Sequence, residues 1–167
     1  MANNPFKAVG IVAGAVIGVA SAAYGAQKVV VRTLANTSVD FEFYASEQFV
    51  VTTPDSARLV VYRDGPRDSG KPTIVFLHGY ALCSPIWAHQ FDVLRDTYDV
   101  IAIDIRGHGA SSVGDEEISL DILADDLYQV ITSLELESIV LVGHSTGGVV
   151  SMAYLEKYAD HAEKHVD

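Results

Sequence analysis

Ile139-Val140-Leu141-Val142-Gly143-His144-Ser145-Thr146-Gly147 is the stretch that decides how the rest of the chain is read. Four consecutive apolar residues, Ile139 to Val142, suit a strand covered on both faces, as in a parallel sheet packed beneath helices. A G-x-S-x-G pattern follows at once, and residues 146–159 read as a helix. Strand, sharp turn and helix in this order predict a serine lifted above the end of a sheet. Gly143 and Gly147 remove side chains that would collide in such a turn. The first turn of the helix leaves N–H groups free and carries a partial positive charge.

Working outward, residues 73–77 (TIVFL) and 100–103 (VIAI) are two more continuous apolar runs. Helical segments are predicted over 86–95 and 120–134. The second is the clearer, with Leu120, Leu123, Leu127, Val130, Ile131 and Leu134 on one face. Ser119 is placed to cap it, and Asp121 suits the positive end of its dipole. Before the alternation begins, residues 48–52 and 58–62 are β-branched runs joined by Thr53-Pro54-Asp55-Ser56, a hairpin signal. The prediction is an α/β fold: a mostly parallel sheet with right-handed crossovers and an N-terminal β-hairpin, incomplete at the C-terminus.

Two loops leave neighbouring strands at the end where Ser145 sits. His78-Gly79-Tyr80 follows the 73–77 run, and Gly79 permits a tight path past the serine turn. A backbone N–H from this loop, with that of Thr146, is positioned to hold an oxyanion. His78 is expected to keep the loop in shape rather than to act as a base. His144 is expected to point away from the serine. Asp104-Ile105-Arg106-Gly107-His108-Gly109-Ala110-Ser111 follows the 100–103 run. Asp104, Arg106, Gly107 and Gly109 are expected to scaffold the site.

The segments LHGYALCSPIW, YDVIAIDIRGHGASS and LVGHSTGGVVSMAYLEKY, in this order, resemble the first half of an α/β-hydrolase fold protein. The resemblance spans about residues 48–159. It implies Ser145 as nucleophile, with the backbone N–H groups of Tyr80 and Thr146 as oxyanion donors. It also implies a small-molecule ester or related acyl substrate and no cofactor, and no Cys/His spacing in the sequence suggests a metal. Epoxide hydrolases and haloalkane dehalogenases are similar but place Asp at the elbow, so the resemblance is nearer to serine esterases, lipases and perhydrolase-like members. Acyl transfer and perhydrolysis on the same scaffold remain alternatives.

In this family the acid and histidine of the triad follow the serine. Downstream lie Glu156, Asp160, His161, Glu163, His165 and Asp167. If the helix after Ser145 runs on, His161 stands roughly 24 Å away, whereas a base must come within about 3 Å. The tail histidines are therefore expected to form a solvated helix end. The plainest expectation is a truncated copy with little activity by itself, its 139–142 strand near an unpaired sheet edge. A non-catalytic, membrane-tethered binding module is the other expectation.

Residues 8–27 contain no charge and lie between Lys7 and Lys28. About 20 such residues span a bilayer as a helix. A secretory signal ending at Ala20-Ser21-Ala22 and an uncleaved anchor with Gly10, Gly14 and Gly18 on one face both fit. Residues 1–28 are thus expected to anchor or export the chain, the alternative being a cytoplasmic protein. Residues 29–47 read as a connector, with a possible short strand over 37–44, and 48–167 as the folded domain. The net charge of −11, with no basic cluster, argues against nucleic acid as a partner. Asp115, Glu116 and Glu117 read as a solvated loop. Cys83 is the single cysteine, so no internal disulfide is available, and it is expected to be a small packed residue.

Overall fold

The computed structural model describes residues 43–167. Among the described residues, five strands form one sheet: β1 (Glu47–Thr52), β2 (Arg58–Asp64), β3 (Thr73–Leu77), β4 (Val100–Ile103) and β5 (Ile139–Gly143). Their spatial order is β1-β2-β4-β3-β5. The hairpin pairs antiparallel, and β2 joins β4 antiparallel. The three apolar runs pair in parallel, β3 at the centre between β4 and β5. The sheet is mixed, with the hairpin at one edge and β5 at the other.

The helices among the described residues are α1 (Ala88–Leu94), α2 (Leu120–Ser133), α3 (Thr146–Lys157) and α4 (Ala159–His165). The first expected helix begins differently from its reading: Pro85 opens a 3-10 turn over Ser84–Trp87, and the α-helix starts only after it. Ser119 caps α2 as expected, its hydroxyl accepting the Ile122 N–H at 3.2 Å. Of the possible 37–44 strand, Phe43 and Tyr44 are outside any strand and the rest lies outside the described residues. Phe43 nevertheless anchors the chain, its ring 5.2 Å from Tyr62 and 5.0 Å from Phe91.

Alternation along each strand builds a core on both faces of the sheet. Val75, Leu77, Ile101 and Ile103 pack with Leu127, Val130 and Ile131 of α2 and Val150 and Tyr154 of α3. Phe76, Val100 and Ala102 face the other way, against Trp87 and Phe91. The chain therefore leaves β3 toward one face and leaves β5 toward the opposite face. Where neighbouring parallel strands send their connections to opposite sides, a crevice opens beyond their C-terminal ends. Residues 78–80 and Ser145 border that crevice.

The helix after Ser145 ends two residues short of its expected limit at 159, and a second short helix follows. The chain bends at Tyr158 (φ −117°, ψ 42°), whose hydroxyl donates to Asp125 of α2 at 2.6 Å and whose ring stacks on Tyr128 at 4.2 Å. Helix α4 then returns to the start of β5, where Val166 bridges Ile139 in parallel and the Asp167 N–H donates to the Ile139 carbonyl at 2.9 Å. Among the described residues, no helix is long and apolar enough to cross a membrane. Residues 8–27 lie outside them.

Candidate active site

Ser145 closes the turn between β5 and α3 with φ 52° and ψ −114°. A non-glycine residue in this region is strained, which the surrounding contacts must sustain. Those contacts are tight. A Cβ on Gly147 would sit 2.1 Å from the Leu77 carbonyl oxygen of β3, so only glycine lets α3 start so close to the sheet. The Gly147 N–H donates to the His144 carbonyl and the Gly148 N–H to the Ser145 carbonyl, both at 2.9 Å. The His144 N–H donates to the Leu77 carbonyl at 3.0 Å, pinning the turn to β3. Gly143, His144 and Ser145 are all exposed to solvent.

The loop after β3 lies beside this turn. The ring of His144 rests on Gly79: a Cβ there would meet His144 Nδ1 at 2.8 Å. His144 thus packs on the neighbouring loop, a contact that the sequence does not reveal. The N–H groups of Tyr80 and Thr146 take no hydrogen-bond partner among the described residues. Free backbone donors from two adjoining turns are what an oxyanion hole requires.

His78 is fully buried and both ring nitrogens are engaged. The Ile105 N–H donates to Nε2 at 2.9 Å, and Nδ1 lies 2.8 Å from the Gly79 carbonyl oxygen. Burial pushes its pKa down, toward the neutral form.

Asp104 and Arg106 do not pair with one another; each secures a different part of the scaffold. The buried Asp104 carboxylate accepts the Ser84 N–H and hydroxyl, each at 2.7 Å, and the Ala110 N–H at 2.8 Å. It thereby ties the far end of the 79–84 loop to the loop after β4. Gly107 and Gly109 make the tight turns of that second loop, with φ 74° and 54°. Burial and the neighbouring Asp104 both push the Cys83 thiol up, and Cys83 is half-buried.

Arg106 is 2% exposed and forms the centre of a buried ion cluster. It holds Asp126 of α2 through Nε at 2.8 Å and Nη2 at 2.6 Å. It also holds Asp55, in the β1–β2 turn, through Nη1 and Nη2. The guanidinium and the Thr53 hydroxyl keep the Asp55 carboxyl well below the usual carboxylate range. Burial pushes the Asp126 carboxyl up, against the pull of the same guanidinium. Sequence reasoning missed both aspartates. Asp126 had a signal, since it falls three residues after Leu123 on the apolar stripe of α2.

The tail histidines are corrected in place but not in consequence. They are half-buried rather than a solvated end: His161 Nδ1 lies 2.7 Å from the Tyr154 hydroxyl, and His165 Nδ1 lies 3.0 Å from the Leu136 carbonyl oxygen. His165 directly precedes the Ile139 bridge, at the opposite end of β5 from Ser145, roughly 13 Å of strand away. No histidine among the described residues hydrogen-bonds to Ser145. Asp115, Glu116 and Glu117 are exposed, as expected. Among the described residues, no three His, Cys, Asp or Glu side chains are grouped to hold a metal.

The sheet order, the glycine-flanked serine turn and the adjoining loop define an α/β-hydrolase architecture. The chain belongs to the alpha/beta hydrolase fold family, whose model matches residues 72–167. It is 40% identical over 110 residues to a bifunctional esterase/perhydrolase of Acinetobacter calcoaceticus, a match covering 65% of this chain and 39% of that protein. It is 35% identical over 86 residues to epoxide hydrolase 4 of Mus musculus, covering 50% of this chain and 24% of that one. Among solved structures, a bromoperoxidase from Bacillus anthracis superposes with a TM-score of 0.64 at 27% identity, over 72% of this chain and 42% of its own. The matched part of the chain therefore spans less than half the length of each of these relatives.

Proposed function

We propose that Ser145 is the nucleophile of a serine hydrolase acting on ester or related acyl bonds. Its hydroxyl attacks the carbonyl carbon, and the N–H groups of Tyr80 and Thr146 receive the oxyanion that forms. The observation that carries this reading is the pair of unpartnered N–H groups beside an exposed serine in a strained turn. A serine at the elbow favours an acyl-enzyme route over the carboxylate chemistry of the epoxide hydrolases. A histidine and an acid complete such a triad. With no histidine bonded to Ser145 among the described residues, the 167-residue chain by itself is predicted to be nearly inactive.

A fluorophosphonate probe tests both parts. Slow labelling that disappears in Ser145→Ala is expected. Rapid labelling of the wild-type chain would overturn the missing-base argument, and labelling that survives in Ser145→Ala would overturn the nucleophile.

Perhydrolysis on the same scaffold is the second reading, favoured by the esterase/perhydrolase relative. Residues 8–27 are proposed as an export signal or membrane anchor, on the strength of their charge-free length between two lysines. Cell fractionation separates a membrane-bound form from a soluble one.

A further inference from the structure

We infer that His78 is a positioning residue for the oxyanion donor, one whose neutral Nδ1–H tautomer aims the N–H of Tyr80. The inference rests on the proposed roles of Ser145 and Tyr80, and its geometry stands on three hydrogen bonds. The Ile105 N–H donates to His78 Nε2 at 2.9 Å, so Nε2 must present its lone pair. A neutral ring then carries its proton on Nδ1, and Nδ1–H donates to the Gly79 carbonyl at 2.8 Å. The Leu82 N–H donates to the same oxygen at 3.2 Å.

The Gly79 carbonyl and the Tyr80 N–H belong to one peptide unit. That unit is planar, and no cis bond occurs among the described residues, so the two groups point in opposite directions. Fixing the oxygen on the His78 ring fixes the direction of the Tyr80 N–H. The turn needs such a hold. Ala81 sits at φ 58°, a left-handed conformation that favours glycine and strains an alanine. His108 braces the arrangement from outside, its ring 5.3 Å from that of His78 and 5.6 Å from that of Tyr80. Ile105 belongs to the loop after β4, so that loop sets the oxyanion geometry through the imidazole.

Two near-isosteric substitutions separate the two bonds of the ring. His78→Asn keeps an N–H near the Nδ1 position and loses the acceptor for Ile105. His78→Gln keeps an acceptor near the Nε2 position and loses the donor to Gly79. The readout is the orientation of the Tyr80 N–H vector, from residual dipolar couplings on the full chain, together with the 15N shifts of the wild-type imidazole. The expected result is a neutral Nδ1–H tautomer in the wild type, a Tyr80 vector retained in His78→Asn and a rotated one in His78→Gln. An Nε2–H tautomer, an imidazolium at neutral pH, or equal disturbance of Tyr80 in both variants would overturn the inference. The tautomer measurement needs no variant to fold. None of these readouts depends on Ser145 reactivity, so a failed fluorophosphonate experiment and a failed His78 experiment remain distinguishable.

Discussion

Replacing Arg106 by methionine should remove about 3–5 kcal/mol of folding stability. The magnitude follows from what the guanidinium leaves behind. The side chains of Asp55 and Asp126 are only 8% and 9% exposed, and both lose their counter-charge at once. A domain of ordinary stability holds about 5–15 kcal/mol, so the loss is a large share of the total. The measurement is urea unfolding of wild type, R106M, and R106M combined with Asp55→Asn and Asp126→Asn. The triple variant has no stranded carboxylates and should recover most of the loss. The pH dependence adds a second check. The Asp55 pKa is lowered in the folded state, so its contribution is fully present above about pH 4 and fades as pH falls through the lowered folded value. In R106M that acid-side fall should flatten, because protonating Asp55 now relieves a buried charge. A loss under about 1 kcal/mol in R106M, or a triple variant no more stable than the single, would refute the reasoning that uncompensated charge is the cost.

Ser145→Gly should stabilise the chain by about 1 kcal/mol in thermal unfolding, since relieved backbone strain outweighs the added unfolded-state entropy, whereas Ser145→Ala should not. Gly147→Ala should cost about 3 kcal/mol or more, because its Cβ would meet the Leu77 carbonyl oxygen at 2.1 Å and that atom belongs to a paired strand. Gly79→Ala should cost less than about 1 kcal/mol, because the nearest obstacle is the ring of His144, which is free to swing away.

The parts of the fold visible in the sequence are those specified by neighbours along the chain. Ile139 to Val142 is apolar at every position and became a parallel strand, though one at the sheet edge and only half-buried past Ile139, and Thr53-Pro54-Asp55-Ser56 became the hairpin turn. The serine turn was legible for the same reason, since its glycines stand at fixed offsets from Ser145. The end of the helix near residue 159 was legible, but the return of α4 to Ile139 was not. Residues 146–165 contain no proline, and their only glycines stand in the first turn, so nothing local directs the chain back; Tyr158 at the bend is held by Asp125 and Tyr128, about 30 residues earlier. The Arg106 cluster was hidden likewise. Asp55 reads as a turn former and Asp126 as one more acid on a helix, until Arg106 joins segments 51 and 20 residues away. Part of the candidate site was readable as a motif, whereas the His78 relay depends on a backbone N–H 27 residues distant.

The two-faced alternation along β3 constrains how chains of this kind can change in length. One residue inserted between Thr73 and Leu77 would exchange Val75 and Leu77 with Ile74 and Phe76, sending each into the wrong layer. The same slip would turn the His78 imidazole away from Ile105 and release the peptide it holds. Insertions and deletions are accommodated instead where backbone is largely exposed and outside the strand pairing, as over residues 66–71. That stretch precedes β3 and lies at the end of the sheet remote from Ser145. Drift in loop length there leaves the reactive end of the sheet unaltered, so the architecture separates the part of the chain free to diverge from the part that must keep its register.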